Sequence, residues 1–211
     1  HVFYQSIGAI YSKMVTEVFD GSYQGANNFI ELGFWPGGDR DGNPFVNAET
    51  TLFVAKSLRT SIITCYYRDV RKLKRKLTFP QVDVLVNELE AKLFENVFRP
   101  DQATPIASAE ILEQLEQIRQ LVQASNYSLY LPALESFIHK VRLFGTHFAF
   151  LDIRQDSRIH HQVLEDIHLT LRKKTGTGLF PSNYSKLSVS EQIALLETLE
   201  GNLDPSDFSE P

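Results

Sequence analysis

The sequence predicts a mostly α-helical protein with two short strands that lie far apart along the chain. Apolar residues recur at helical spacing over several long segments, whereas the apolar, aromatic runs FIELGFW and HFAFLDIR are typical of extended chain. Two strands alone make a poor sheet, so the pattern also indicates a piece of a larger α/β architecture. The length of 211 residues and the 43% hydrophobic and 22% charged content are those of globular proteins.

Three elements are predicted in the first half of the chain. The first is a helix that ends near Asp20 and whose apolar face comprises Phe3, Ile7, Ile10, Met14 and Val18. After the first strand, Asn47 is expected to cap a long helix, with Glu49 in the first turn, where a carboxylate favours the helix dipole. Thr78 and Gln81 form a capping-box pattern that predicts a further helix to about Phe98.

The second half contains more helices and the second strand. We take residues 1–211 as one segment, in which the polar, proline-containing stretch RPDQATP, residues 99–105, links 1–98 to 106–211. Helical spacing and end signals predict helices at about 108–124, 132–144 and 157–174. HFAFLDIR is expected to be a buried strand. A last helix should be capped by Ser188 and Glu191.

Composition excludes several classes of protein. The net charge of −5 argues against a nucleic-acid-binding protein, which usually has a basic balance. No uninterrupted apolar run is long enough to span a bilayer, and no secretory signal is visible, so we expect a cytoplasmic protein. The single cysteine, Cys65, excludes an internal disulfide and is expected to be a buried, reduced thiol.

The stretch GFWPGGDRDGNPFV, residues 33–46, is the first candidate site. The loop contains three glycines that allow positive φ and let the backbone come close to a ligand: Gly37, Gly38 and Gly42. Arg40 is a planar donor suited to a phosphate or carboxylate, and the acids that could orient it are Asp39 and Asp41. The helix start after Asn47 adds free N–H groups, which also favour an anion. The alternative is a tight structural turn with local ion pairing.

The end of the second strand is the second candidate site. In FLDIRQDSRIH, residues 150–160, alternation places Phe150, Asp152 and Arg154 on one face. An apolar strand that ends in Asp and Arg resembles the active-site end of a parallel barrel strand. The alternative is an Asp152–Arg154 ion pair that closes the core.

Two weaker patterns have simpler interpretations. One pattern is an i, i+4, i+7 spacing on a helix face, formed by His161, Glu165 and His168, which could hold a metal. A solvated helix face is the better interpretation. The basic run RDVRKLKRKL, residues 68–77, could meet a polyanion, but cations also suit the helix end where it lies.

The two candidate stretches together resemble phosphoenolpyruvate carboxylases of the bacterial and plant type. That family has a tryptophan-containing GGDRDGNP loop and, after long helices, a strand of the form LDIRQES followed by a histidine. Here these motifs correspond to Trp35 with residues 37–44, and to LDIRQDS, residues 151–157, with His160. The sequence departs from the family pattern at Pro36, Asn47, Asp156 and Ile159.

The resemblance implies a fold, a reaction and roles for residues. The fold would be a segment of a helix-elaborated (β/α)8 barrel. The reaction would convert phosphoenolpyruvate and bicarbonate to oxaloacetate and phosphate with Mg²⁺ or Mn²⁺, in a homotetrameric parent enzyme. Arg154 would bind the substrate phosphate, and Arg40 would lie near the anion-binding mouth and contact substrate or an anionic effector. The supporting residues would be Asp152, Gln155, Asp39, Asp41, Gly37, Gly38, Asn43 and His160.

The motifs that carry the family's chemistry are absent from this chain. They are the TAHPT histidine, the PLFET and GYSDSxKDAG motifs of the metal ligands and lysine, and the FHGRGG arginine loop. The resemblance therefore implies no catalytic residue or metal ligand here and an internal fragment that is inactive alone. Two other classes remain open: a non-catalytic helical module that binds anions or partners, and a small metal-dependent enzyme.

Overall fold

The computed structural model describes residues 1–19, 29–124, 128–181, 183–200, 204 and 208. These residues form two compact units, 1–153 and 154–211, and the predicted linker 99–105 is a loop inside the first. The predicted end of the first helix at Asp20 lies outside the described residues. Among those residues, no helix combines the length and hydrophobicity that a bilayer span requires.

The first unit is a helical assembly with one parallel strand pair. Its described elements are α1 (Val2–Glu17), β1 (Gly33–Phe34), α2 (Ala48–Lys74), α3 (Val82–Phe98), α4 (Ser108–Ala124), a 3₁₀ turn (Ser128–Tyr130), α5 (Leu131–Phe144) and β2 (Phe150–Leu151). Helices α2, α3, α4 and α5 pack in sequence, and α5 returns to α2, while α1 packs on α5. The mostly α prediction with two distant strands is confirmed.

The helical core follows the predicted apolar spacing in α4 and α5. In α4 the fully buried side chains are Ile111, Leu115, Ile118 and Val122, one stripe at helical spacing. Helix α5 ends where predicted, with Gly145 at φ +54°. The Tyr66 hydroxyl of α2 donates to the Gly145 carbonyl at 2.6 Å, which ties the end of α5 to α2.

The predicted buried face of α1 is wrong. Phe3, Ile10 and Val18 are more than half exposed, and α1 instead buries Tyr4, Gly8, Tyr11 and Val15. Both sets recur at helical spacing, so periodicity alone could not choose between them. Contacts with other helices distinguish the two faces. On the buried face the Tyr4 hydroxyl has a hydrogen-bond partner, and Gly8 leaves room for a side chain of another helix.

A buried ion pair holds this face of α1. Asp69 of α2 and Lys140 of α5 lie 3.1 Å apart, Oδ2 to Nζ, and each side chain is only 10% exposed. The Tyr4 hydroxyl donates to Asp69 Oδ2 at 2.8 Å, and Lys140 lies over the Tyr4 ring. A Cβ on Gly8 would lie 2.7 Å from Lys140 Cγ, so the missing side chain of Gly8 admits the lysine.

The pKa of Asp69 gives this network a pH dependence. Burial raises this pKa, but the hydrogen bond from Lys72, the charge of Lys140 and the Tyr4 hydroxyl outweigh burial and lower it. Because the pKa of Asp69 is lower in the folded state, its ionisation stabilises the fold at pH values above the unfolded-state pKa of about 3.9. This contribution is lost as the pH falls through the folded-state pKa. We expect the urea midpoint of the wild type to fall across this acidic range more steeply than that of Asp69→Asn. Equal slopes would contradict this role of Asp69.

Two other structural predictions are wrong. The Thr78–Gln81 capping box does not form: Gln81 adopts φ +73°, so α3 begins at Val82 with no side-chain cap. The second strand is also not buried, because Phe150 is 70% exposed and Ile153 is 56% exposed. Each strand of the pair has only two residues, so the pair is too small to bury these side chains.

The Asn47 cap of α2 is confirmed. Its Oδ1 accepts the backbone N–H of Thr50 at 2.8 Å, and Glu49 lies in the first turn. We expect Asn47→Ala to lower the free energy of unfolding by about 1 kcal/mol, since an N-terminal N–H group loses its acceptor. Asn47→Asp keeps an acceptor and is the matched control in urea denaturation. Equal losses in both variants would contradict the capping role.

The described part of the second unit contains two helices and a 3₁₀ turn. They are α6 (Ser157–Thr175), a 3₁₀ turn (Tyr184–Lys186) and α7 (Val189–Glu197). Helix α6 ends at Gly176, whose φ of +80° suits glycine. The predicted capping box of α7 is confirmed, with the Glu191 N–H donating to the Ser188 hydroxyl and the Ser188 N–H to the Glu191 carboxylate. Neither helix buries a described residue fully, so this unit contributes little core.

Candidate functional site

Parallel strand pairing brings the two candidate stretches together. Gly33 pairs with Phe150 and Phe34 with Leu151. The Phe150 N–H donates to the Leu32 carbonyl at 2.8 Å, and the Asp152 N–H donates to the Phe34 carbonyl at 2.9 Å. Because the strands are parallel, the chain that follows β1 and the chain that follows β2 leave the same edge. The glycine-rich loop and the start of the DIRQ segment therefore meet there.

Gly38 makes the contact between the two stretches. It is buried, and a Cβ at this position would overlap the Asp152 carbonyl oxygen and lie 3.3 Å from Ile153 Cα. Its neighbour Gly37 has φ +85°, and a Cβ there would meet the Val54 side chain. Gly37 thus uses the backbone freedom expected of this loop, and Gly38 packs against the backbone of Asp152, while the expected close approach to a ligand stays a prediction.

The Arg40 guanidinium is bound by the first turn of α2. Its Nη2 donates to the Thr51 hydroxyl at 3.1 Å, and Thr51 Oγ1 lies 2.7 Å from the Gly37 carbonyl oxygen. Arg40 Nε is buried and has no hydrogen-bond partner among the described residues. The guanidinium is therefore partly occupied by Thr51 of α2 and retains further donor capacity.

The rest of the loop is shaped by its own polar side chains. Asn43 Oδ1 accepts the Phe45 N–H at 3.0 Å, and the Asn43 carbonyl accepts the Val46 N–H at 3.1 Å, which closes a turn just before α2. Asp39 lies over Gly42, where a Cβ would come within 2.8 Å of its carboxylate oxygen. Asp41 is exposed. These contacts account for Asn43, Asp39 and Gly42 as parts of the loop itself.

Arg154, Gln155 and His160 belong to the second unit. Arg154 is its first residue and is exposed, two positions after Asp152 along the chain. Gln155 Oε1 accepts the Asp156 N–H at 3.0 Å, which orders the start of α6. His160 is exposed on the first turn of that helix. Of these three residues, Arg154 and His160 are exposed and Gln155 is half-buried.

Asp156 caps α6 and binds the next arginine. Its Oδ1 accepts the Arg158 N–H at 2.8 Å, and both carboxylate oxygens accept from the Arg158 guanidinium. The hydrogen bonds from the Arg158 side chain and backbone lower the Asp156 pKa to about 2. The aspartate that replaces the family's common glutamate is therefore a helix cap.

The metal alternative has no support in the described residues. His161 Nε2 and Glu165 Oε1 lie 3.4 Å apart on an open face of α6. His168 Nδ1 instead accepts the Phe180 N–H at 3.0 Å, and its ring stacks on Phe180. Across the described ranges no group of three His, Cys, Asp or Glu side chains could hold a metal ion.

Three of the six basic side chains in the run at the end of α2 contact acidic residues of the described ranges. Arg71 and Lys74 both contact Glu90 of α3, and Lys72 contacts Asp69 at 2.8 Å. These contacts support the interpretation of a helix end rather than a polyanion site. Cys65 is buried and free, as predicted, and burial raises the pKa of its thiol.

Sequence reasoning missed Thr51. It is buried, and its hydroxyl joins the Arg40 guanidinium to the Gly37 carbonyl. A threonine four residues after the Asn47 cap faces the same side of the helix as the cap, and this spacing was the available signal.

The motif loop, the parallel strand pair and the surrounding helices define a mostly α-helical segment in which two distant motifs meet beside one parallel strand pair. The family model for phosphoenolpyruvate carboxylase matches residues 3–106 and 90–204. The chain belongs to the phosphoenolpyruvate carboxylase family.

Curated relatives agree with this assignment. A phosphoenolpyruvate carboxylase from Nitrosomonas eutropha is 28% identical over 210 residues, covering 80% of this chain and 22% of the relative. One from Aeromonas hydrophila is 28% identical over 79% of this chain and 21% of its own. One from Nitrosomonas europaea is 26% identical over 93% of this chain and 25% of its own. The chain thus spans about a quarter or less of these relatives, so it is a fragment relative to them.

Proposed function

We propose that the whole protein carboxylates phosphoenolpyruvate with bicarbonate to give oxaloacetate and phosphate, and that this chain supplies Arg154 to the phosphate site. The observation that carries the proposal is the meeting of the GGDRDGNP loop with Asp152 and Ile153, which follow β2, at one edge of the parallel strand pair. In barrel enzymes the carboxyl ends of the strands carry the active site. Family membership supplies the reaction.

The proposed reaction gives Arg154 a defined task. A bicarbonate oxygen attacks the phosphorus, the bond from phosphorus to the enol oxygen breaks, and carboxyphosphate and an enolate form. Carboxyphosphate releases carbon dioxide and phosphate, and the enolate carbon attacks the carbon dioxide. A guanidinium stabilises the charge on the transferring phosphoryl oxygens through paired N–H donors. Arg154 is exposed, which suits contact with an external phosphate.

Arg40 has a second, related role in the proposal. Its guanidinium is held by Thr51, and its buried Nε has no partner among the described residues. A fixed cation at the start of α2 favours an anion there, either the substrate or an anionic effector. The supporting roles that the resemblance implies would fall to Asp39, Asp41 and Asp152 in the first unit and to Gln155 and His160 in the second.

The metal belongs elsewhere in the proposed enzyme. The described residues contain no group of three metal-binding side chains, so they do not fit a Mg²⁺ or Mn²⁺ site. We assign the ion, the catalytic histidine and the lysine to other parts of the parent, which would be a cytoplasmic homotetramer. The isolated chain is then expected to show no turnover.

The test is an activity assay of the full-length parent. Oxaloacetate formation is coupled to malate dehydrogenase, and phosphate release is followed in parallel. We expect equal rates of both products, and a requirement for phosphoenolpyruvate, bicarbonate and Mg²⁺. The matched control is the 211-residue chain, which should be inactive. A folded parent without bicarbonate-dependent activity would overturn the proposal, and anion binding by that parent would favour the non-catalytic module.

A further inference from the structure

Gly38 connects the loop to the chain that carries Arg154. The Asp152 carbonyl lies directly against the Cα of Gly38, in the space that any side chain would fill. The Asp152 N–H is also fixed, because it donates to the Phe34 carbonyl at 2.9 Å. Both peptide groups of Asp152 are thus in contact with the first stretch, the carbonyl with Gly38 and the N–H with Phe34. Asp152 lies two residues before Arg154.

Thr51 holds the loop in the position that this contact needs. Its hydroxyl lies 2.7 Å from the Gly37 carbonyl oxygen and accepts from Arg40 Nη2 at 3.1 Å. The side chain is buried on α2, the longest described helix of the first unit. The hydroxyl therefore fixes both sides of Gly38 along the loop to a rigid element.

We propose that Gly38 and Thr51 are positioning residues for substrate phosphate binding. Thr51 fixes the loop on α2, Gly38 admits the Asp152 carbonyl, and this contact sets where the chain leaves β2 toward Arg154. Neither residue contacts substrate. The proposal rests on the proposed function, since Arg154 is the group that the two residues are inferred to position.

The expected effects follow from the geometry. In Gly38→Ala the new Cβ displaces the Asp152 carbonyl, and a shift of about 1 Å at a binding group costs on the order of a hundredfold in rate. Thr51→Val keeps the shape and removes the hydroxyl, so the KM for phosphoenolpyruvate should rise about tenfold through the loss of a hydrogen-bonded contact. Thr51→Ser retains the hydroxyl and should restore the wild-type KM.

The experiment uses steady-state kinetics of the full-length parent. Gly33→Ala is the matched control for Gly38→Ala, because a Cβ on Gly33 has no atom within 4 Å. A purely structural role would lower the active fraction and thus kcat, with the KM for phosphoenolpyruvate unchanged. If Gly38→Ala does not fold, the Thr51 variants carry the test.

A double-mutant cycle with Arg154→Ala completes the test. If Thr51 acts through Arg154, Thr51→Val should change the KM little in the Arg154→Ala background. Full additivity, or an unchanged KM in Thr51→Val, would overturn the positioning role while the proposed function stands. If Arg154→Ala itself leaves activity unchanged, the role of Arg154 in the proposed function fails, and the positioning role fails with it.

Discussion

Arg154→Ala in the full-length parent is expected to reduce kcat/KM for phosphoenolpyruvate by about 10²–10³-fold. This is the range seen when one preorganised donor to a charged transition state is removed. Both kcat and the KM should change, because the guanidinium would bind the phosphate in the ground state and stabilise it during transfer. The measurement is the coupled oxaloacetate assay at saturating bicarbonate and Mg²⁺.

Controls separate a binding role from a folding defect. Arg154 is exposed, so its removal should leave the melting temperature close to that of the wild type. Arg99→Ala is the matched variant: this exposed arginine pairs with Glu95 at the end of α3 and should retain wild-type kinetics. An active, folded Arg154→Ala variant with wild-type kcat/KM would refute the assignment.

Asp69→Ala is expected to destabilise the chain by about 3–5 kcal/mol. The change leaves Lys140 buried without its carboxylate partner, and an uncompensated buried charge has a cost of this size. It also removes the acceptor of the Tyr4 hydroxyl, whose pKa is raised by burial and by Asp69 so that it stays protonated. Urea denaturation of the chain, followed by far-ultraviolet circular dichroism, measures the loss.

Two further variants test whether the cost arises from the unpaired charge. Replacing both partners, as in Asp69→Leu with Lys140→Met, should recover much of the stability, because no buried charge remains. Lys72→Ala removes the second ion pair of Asp69, but Lys72 is 60% exposed, so the loss should be at most about 1 kcal/mol. The interpretation fails if Asp69→Ala costs no more than Lys72→Ala.

Local signals in the sequence were sufficient for several elements. Helix α4 has the predicted bounds, since its apolar stripe and flanking residues indicate one helix. The caps at Asn47 and Ser188 form as predicted, because a cap requires only a side chain and backbone groups within three residues. At Gln81 the same kind of signal failed, because its positive φ interrupts the helix that Thr78 would have capped.

The sequence by itself determined the helical fold class, the family and the two motif stretches, because each depends on local periodicity or on contiguous residues. Tertiary structure decided which face of α1 is buried, since two sets of residues recur at helical spacing and only one of them offers Tyr4 a partner in Asp69 and admits Lys140 beside Gly8. It also decided that Gly38 packs on the Asp152 carbonyl and that Thr51 holds the loop. The Gly38 contact joins residues more than a hundred positions apart, and periodicity contains no information on such pairs.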